Sequence, residues 1–147
     1  TLIRPADLAA ARARVLESPS DRALRAGGID LIDRMKEGLE APAELVELRS
    51  IEGEPAMRAL TAEGGGWQIG ALVTLAEVAA AEGLGEAFAA LREAASSAAT
   101  PAIRNAATVG GNLLQRPRCW YFRHADLACL KKGGKTCLAI TGENKFH

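Results

Sequence analysis

The sequence predicts an α+β fold, a small α/β lobe followed by the first part of a second α/β lobe. Two observations support this prediction. Helix and strand patterns alternate in the first third of the chain, whereas two short strands and then helices follow beyond it. We expect residues 1–53 to form the N-terminal lobe and residues 54–115 to begin the second. Residues 116–147 are predicted to be an irregular loop region that contains the cysteines, in a domain truncated at residue 147.

Apolar spacing and turn residues predict the elements of the first lobe. Leu8, Ala11 and Val15 share one face of a helix that is expected to begin near Pro5. A short strand and two glycines follow, and then an amphipathic helix and a second strand. The predicted ranges are residues 22–26 for the strand, 30–38 for the helix and 44–50 for the second strand.

The second lobe is predicted to begin with a β-hairpin around Glu63–Gly66. Thr74 and Glu77 have the spacing of a capping box, so a helix is expected to begin there and to stop at Gly83. A further helix is predicted over residues 86–98, and an irregular segment is expected from Pro101 onward.

Composition excludes several classes of function. The 18 basic and 18 acidic residues give no net charge, which does not favour binding to nucleic acid or to an acidic membrane. The richest apolar window carries charged residues, so no membrane span is predicted. The three cysteines are an odd number, which argues against a closed disulfide framework.

The first pair of glycines, Gly27 and Gly28, lies between a predicted strand and a predicted helix. Backbone N–H groups at a helix N-terminus lack intrahelical acceptors and carry partial positive charge, so such a loop is suited to a diphosphate. The motif is neither G-x-G-x-x-G nor a P-loop. The alternative is a tight turn with Asp30 as helix cap. Both interpretations can hold if the Asp30 carboxylate points away from the phosphate.

The second pair lies in the stretch ATVGGNLLQR. Thr108 offers a hydroxyl, Gly110 and Gly111 allow close approach of a ligand to the backbone, and Asn112 offers an amide. Taken singly, this stretch favours the interpretation as a turn stabilised by Asn112.

Together, the stretches RAGGIDLIDRMKEG, IGALVTLAEV and TPAIRNAATVGGNLLQRPRCWYFR resemble the FAD-binding (medium) subunit of molybdenum hydroxylases, the family of xanthine dehydrogenase, aldehyde oxidoreductase and carbon monoxide dehydrogenase. The resemblance covers nearly the whole chain, and its CWYFR stretch is most similar to aldehyde oxidoreductase flavin subunits. It implies that FAD lies between two α/β lobes and contacts both glycine loops. The residues implied in FAD binding are Ala26, Gly27, Gly28, Ile29, Asp30, Leu31, Thr108, Gly111 and Asn112. Ile29 departs from the Thr or other polar residue common in the family, which removes one hydroxyl but keeps the backbone N–H.

The cysteines Cys119, Cys129 and Cys137 are spaced C-x9-C-x7-C, unlike the close pairs of common zinc sites. Their spacing alone is compatible with free thiols. The resemblance implies an alternative, since some flavin subunits carry a [4Fe–4S] cluster on such an insertion. In those proteins a fourth cysteine lies beyond the point that matches residue 147. Zinc bound by these cysteines with His124 or His147 is a third possibility.

The resemblance implies the function of an FAD-binding electron-transfer subunit, present as an N-terminal fragment, of an aldehyde- or xanthine-type oxidoreductase. Substrate chemistry would occur in a molybdenum-cofactor subunit, and electrons would pass through a [2Fe–2S] subunit to the flavin and then to an external acceptor. No catalytic residue is therefore expected in this chain. The chain is expected to be soluble, either cytoplasmic or exported to the periplasm with its partner. The alternatives are a non-catalytic α/β interaction module and a zinc-binding domain formed by the cysteine tail.

Overall fold

The fold is taken from a computed structural model that describes residues 1–145 and 147. The chain forms two compact units. Unit 1 contains Thr1–Ile29 and Pro42–Leu114, and unit 2 contains Asp30–Ala41 and Gln115–His147. These two units are defined by contacts between residues and do not test the three sequence ranges. The ranges 1–53, 54–115 and 116–147 therefore remain a prediction.

Unit 1 contains a parallel sheet of β1 (Leu2–Ile3), β2 (Arg22–Arg25) and β3 (Glu44–Glu47), in the order β1–β3–β2. Its core consists of Ala11 from α1 (Leu8–Glu17), Val46 and Ile51, each at most 1% exposed. The predictions of β2 and of the start of β3 are confirmed, but β3 ends at Glu47 because Leu48–Ser50 form a 3₁₀ turn capped by Glu47. The strand β1 was missed because two residues are too few to show an alternating pattern.

The predicted start of the first helix near Pro5 is wrong. The helix begins at Leu8, because Asp7 adopts extended backbone and its Oδ1 accepts the Ala10 N–H at 2.7 Å. Asp7 is thus a regular N-cap, and the proline lies before it.

The predicted hairpin is confirmed as β4 (Leu60–Glu63) and β5 (Gly66–Ile69), joined by two glycines with φ values of 56° and 80°. The helices of unit 1 that follow surround a core of Val73, Val78, Leu84 and Ala95. They are α3 (Leu75–Ala80), α4 (Ala89–Ser97), α5 (Pro101–Ala106) and α6 (Val109–Leu113).

The irregular segment predicted from Pro101 is wrong, since α5 and α6 occupy it. Thr100 Oγ1 accepts the Ile103 N–H and Thr108 Oγ1 accepts the Gly111 N–H, so each helix has a threonine cap. Each helix has at most six residues, which is too short to show apolar periodicity in the sequence.

The helix α2 (Ile29–Lys36) begins directly after the first glycine pair, as predicted within one residue. The cysteine region is mostly irregular, with the short helices α7 (Trp120–Arg123) and α8 (Leu138–Thr141) and a 3₁₀ turn at Leu130–Lys132. Within residues 1–145 and 147, none of the helices combines the length and the apolar character needed to cross a membrane.

Candidate functional site

The first glycine loop joins the end of β2 to the start of α2. Gly28 has φ of 76°, the left-handed conformation that glycine adopts at little cost. Gly27 lies against the segment that precedes the second glycine loop. A Cβ built on Gly27 would lie 2.0 Å from the Ala106 carbonyl oxygen and 3.3 Å from the Ala107 Cα. The two loop segments therefore meet within unit 1, and the absence of a side chain at residue 27 permits it.

The amino end of α2 has free hydrogen-bond donors. Among the residues that the structure describes, no protein group accepts a hydrogen bond from the backbone N–H of Gly28, Ile29, Asp30 or Leu31. Such groups carry the positive end of the helix dipole. This end of α2 is therefore suited to a negatively charged ligand such as a diphosphate.

The second glycine loop differs, because each of its backbone N–H groups from Val109 to Asn112 has a protein acceptor. Gly111 donates to Thr108 Oγ1 at 3.2 Å, and Asn112 donates to the Thr108 carbonyl at 2.8 Å. Val109 and Gly110 donate to the carbonyl groups of Val73 and Ala71, at 2.8 and 2.9 Å. The backbone of this loop from Val109 to Asn112 is therefore hydrogen-bonded within the protein, and the FAD contacts expected of Thr108, Gly111 and Asn112 remain a prediction.

Two side chains of the second loop remain available as ligand contacts. Thr108 is only 3% exposed, and its hydroxyl oxygen accepts a hydrogen bond but keeps its own hydrogen as a donor. Asn112 is exposed on α6. The turn stabilised by Asn112 that the sequence also allowed is not formed, because Thr108 caps α6 instead.

Thr108 also lines a cavity of about 260 Å³ within unit 1. The other lining residues are Arg49, Arg58, Leu72, Thr74 and Glu77. The Arg58 guanidinium donates to the carbonyl groups of Ile51 and Arg49 at 2.8 Å each, so it also braces the segment after β3. The cavity is smaller than the usual range of small-molecule sites. Neither arginine belongs to a motif recognised in the sequence.

Asp30 does not cap α2. The helix begins at Ile29, so Asp30 lies in its first turn. Within unit 2, its Oδ1 accepts from Arg123 Nη2 at 2.7 Å, and its Oδ2 accepts from the Arg116 backbone N–H at 3.0 Å. Arg34 adds an ion pair, with Nε 3.1 Å from Oδ2. The carboxylate is thus occupied by protein groups of unit 2.

Arg123 carries a permanent charge in this cluster. Burial lowers the pKa of its guanidinium, but the hydrogen bonds and charges of Glu37 and Asp30 outweigh burial, so the pKa is raised above its usual value. Its side chain is 10% exposed and that of Asp30 is 11% exposed, which limits screening of this pair by water.

Each cysteine directly precedes a helical turn: Cys119 precedes α7, Cys129 the 3₁₀ turn and Cys137 α8. Cys129 is buried, and its backbone forms an isolated parallel β-bridge with that of Thr136. All three cysteines are free thiols. In the part of the chain that the structure describes, no group of three or more His, Cys, Asp or Glu side chains is arranged to bind a metal. The three-cysteine ligand set for a [4Fe–4S] cluster or zinc remains a prediction.

Comparison with known protein families decides between these interpretations. Residues 1–137 match the family model described as the FAD binding domain in molybdopterin dehydrogenase. The chain belongs to this family. The match confirms the predicted fold class and identifies FAD as the cofactor of the family.

Individual members of this family are similar to the chain over most of its length. The aldehyde oxidoreductase FAD-binding subunit PaoB of Escherichia coli K12 is 37% identical over 123 residues, which are 83% of this chain and 38% of PaoB. Quinoline 2-oxidoreductase from Pseudomonas putida 86 matches with a TM-score of 0.68 at 26% identity, over 77% of this chain and 38% of that chain. Reconstituted carbon monoxide dehydrogenase from Oligotropha carboxidovorans matches with a TM-score of 0.64 at 33% identity, over 76% and 38%. The chain thus spans well under half the length of these relatives.

Proposed function

We propose that this chain is part of the FAD-binding, electron-transferring subunit of a molybdenum-dependent oxidoreductase. The observation that carries the proposal is the set of free N–H groups at the amino end of α2, in a chain of the FAD-binding family. When bound, FAD accepts electrons and passes them to an acceptor. The polypeptide's own task is to bind and orient the cofactor, and no residue of this chain needs to act as an acid, base or nucleophile.

The first loop is proposed to bind the diphosphate of FAD. Its residues from Ala26 to Leu31 supply the turn and the free amides. Ile29 contributes its backbone N–H alone, since its side chain has no hydroxyl. Gly27 has a different part, because its contact with Ala106 brings the first loop against the second.

The second loop is proposed to contribute through side chains. Thr108 can donate its hydroxyl hydrogen, and Asn112 can offer its amide at the surface of α6. Gly111 supports this arrangement indirectly, because its backbone N–H fixes the Thr108 hydroxyl oxygen at 3.2 Å. Fewer contacts are expected here than at the first loop.

The partners are proposed to be a molybdenum-cofactor subunit and a [2Fe–2S] iron–sulfur subunit. Support comes from the relatives, which are named as an FAD-binding subunit of aldehyde oxidoreductase and as carbon monoxide dehydrogenase. In this proposal electrons reach the flavin from the iron–sulfur subunit and leave to an external acceptor.

The direct test is FAD retention by the natural polypeptide that carries this sequence. The protein is purified, incubated with FAD and desalted, and its visible spectrum is recorded. We expect bound flavin absorbance near one FAD per chain. A protein that is folded by circular dichroism but retains no flavin would contradict the proposal and would favour the interaction module.

A single substitution tests the role of the α2 amides. Ile29→Pro removes one N–H at the first helical position, where proline fits the helix. A hydrogen bond to a charged group contributes about 1.5–3 kcal/mol, so we expect FAD affinity to fall roughly 10-fold to 100-fold. Ile29→Ala is the matched control, since it removes the same side chain but keeps the N–H. Equal affinities of the two variants in a fluorescence titration would remove the α2 amides from the site.

A further inference from the structure

We propose that Arg123 is a positioning residue for flavin binding, whose guanidinium holds the Asp30 carboxylate within unit 2 and so keeps the amino end of α2 free for the diphosphate. This inference rests on the proposed function and assigns a role to a residue outside both glycine loops. Arg123 acts through Asp30 and is not proposed to contact the cofactor.

Asp30 creates a conflict at the amino end of α2. A carboxylate in the first turn of a helix is attracted to the same N–H groups and the same positive dipole end that would bind a diphosphate. A carboxylate that folds back onto these donors would compete with an anionic ligand and repel it. A diphosphate site with an aspartate in the first turn of its helix therefore needs other groups that hold the carboxylate away from the free N–H groups.

Both oxygens of Asp30 are held by groups of unit 2. Arg123 Nη2 lies 2.7 Å from Oδ1, and the Arg116 backbone N–H donates to Oδ2 at 3.0 Å. Arg34 Nε lies 3.1 Å from Oδ2. Because both oxygens already accept hydrogen bonds and lie beside cations, the carboxylate is held away from the amides of its own helix.

Arg123 is itself held by further hydrogen bonds and by an ion pair. Its Nε donates to the Pro117 carbonyl at 2.9 Å, and its Nη1 donates to Glu37 Oε2 at 2.9 Å. Its Nη1 also lies 3.7 Å from Asp33 Oδ2. The planar guanidinium is therefore held in one orientation, and Lys with its single ammonium could not make the same set of bonds.

The sequence alone offered no role for Arg123. It is the last residue of the CWYFR stretch and lies 93 positions from Asp30, so no local pattern joins the two. The pairing is visible only once the tail packs on α2 within unit 2.

The test measures FAD dissociation constants for Arg123→Gln, Asp30→Asn and the double variant, by fluorescence titration of the natural polypeptide. We expect Arg123→Gln to weaken binding about tenfold, because it releases a carboxylate near the diphosphate. Asp30→Asn is expected to bind FAD as tightly as the unmodified protein or more tightly. The double variant is expected to return to within about threefold of the unmodified protein, because the released side chain then carries no charge.

A merely structural role for the ion pair predicts another pattern. Each single variant would then weaken binding to a similar extent, and the double variant would not recover. That result would overturn the inference. A further readout is the salt dependence, since the loss caused by Arg123→Gln should shrink as ionic strength rises and screens the released charge.

Arg118→Gln is the matched control. Arg118 belongs to the same unit and pairs with Asp33 at 3.2 Å, but its side chain is 62% exposed. The same charge is lost, and we expect FAD affinity to change by less than about twofold. An effect as large as that of Arg123→Gln would show that net charge alone is responsible and would overturn the inference.

The outcomes separate this inference from the proposed function. An unmodified protein that retains no FAD contradicts the function itself. An unmodified protein that binds FAD, with an Arg123→Gln variant of equal affinity, contradicts only the role of Arg123. If Arg123→Gln does not fold, Asp30→Asn decides, because a loss of affinity above about threefold in that variant would overturn the inference.

Discussion

The two glycine loops look alike in the sequence but use their backbones differently. The first, at Gly27 and Gly28, leaves the N–H groups at the start of an eight-residue helix without acceptors among the protein groups of residues 1–145 and 147. The second, at Gly110 and Gly111, begins a five-residue helix and donates every N–H from Val109 to Asn112 to a protein oxygen. The first loop therefore keeps backbone donors available for an anion, whereas the second uses its backbone donors on oxygens of the protein.

The glycines themselves also serve different purposes. A Cβ on Gly110 would lie 2.9 Å from the Ala71 carbonyl oxygen, and one on Gly27 would lie 2.0 Å from the Ala106 carbonyl oxygen. Both residues thus permit contact between protein backbones. Gly28 alone of these three requires a left-handed backbone. A diglycine motif therefore does not by itself show that a ligand approaches the backbone.

The largest expected effect is that of Gly27→Ala on stability. Its Cβ would overlap the Ala106 carbonyl, and a backbone atom cannot move aside as a flexible side chain can. We expect the free energy of unfolding to fall by about 3 kcal/mol or more, at or above the upper range for overpacking. Chemical denaturation measures this.

Gly53→Ala is the control for that prediction, since a Cβ there meets nothing within 4 Å. Its free energy of unfolding should change by no more than about 0.5 kcal/mol. If Gly27→Ala were equally mild, the two loops would not be in contact as described. Loss of FAD by Gly27→Ala alone cannot distinguish binding from packing, which makes Ile29→Pro the sharper test of the first loop.

The intermediate effect concerns Thr108→Val in the second loop. This substitution keeps the side-chain volume but removes the cap of α6, so the free energy of unfolding should fall by about 1–2 kcal/mol. FAD affinity should fall less than in Ile29→Pro. Thr100→Val, which removes the exposed cap of α5, gives the reference cost for a threonine cap without a neighbouring site. A Thr108→Val variant of unchanged stability but strongly reduced FAD affinity would remove the distinction between the loops.

The smallest expected effect is the contribution of Glu44, on β3, to the pH dependence of the free energy of unfolding. A hydrogen bond from Arg14 lowers the pKa of the Glu44 carboxyl, burial opposes this, and the charges of Arg14 and Arg22 lower the pKa further. Because the folded pKa is lowered, the stabilisation is present above the usual value of about 4.3 and is lost as the pH falls through the folded pKa.

Thermal unfolding as a function of pH tests this. The unmodified protein should lose stability below about pH 4, and Glu44→Gln should show a smaller loss over the same range. Glu86→Gln, at the start of an exposed 3₁₀ turn, is the control and should follow the unmodified protein. The hydrogen bonds of the second loop involve no titrating group, so its geometry should not respond to acid. Equal acid sensitivity of the unmodified protein and Glu44→Gln would remove Glu44 from this account.

The sequence by itself determined the elements whose signals are local. The strand, the glycine pair and the amphipathic helix that follows were predictable, as were the hairpin and the capping box of Thr74 and Glu77. These depend on periodicity, turn chemistry and caps within a few residues of each other. The motifs also sufficed to indicate the FAD-binding family, which the comparisons confirm.

Only the tertiary structure decided how the polar groups are used. The acceptors for the amides of Val109 and Gly110 lie on a segment more than 30 positions earlier, and Asp30 is bound by arginines more than 80 positions later. Short elements such as α5, α6 and β1 carry too few residues to show a period. A hydrogen bond depends on where two groups meet in space, and for distant groups the packing of the whole unit fixes that meeting point.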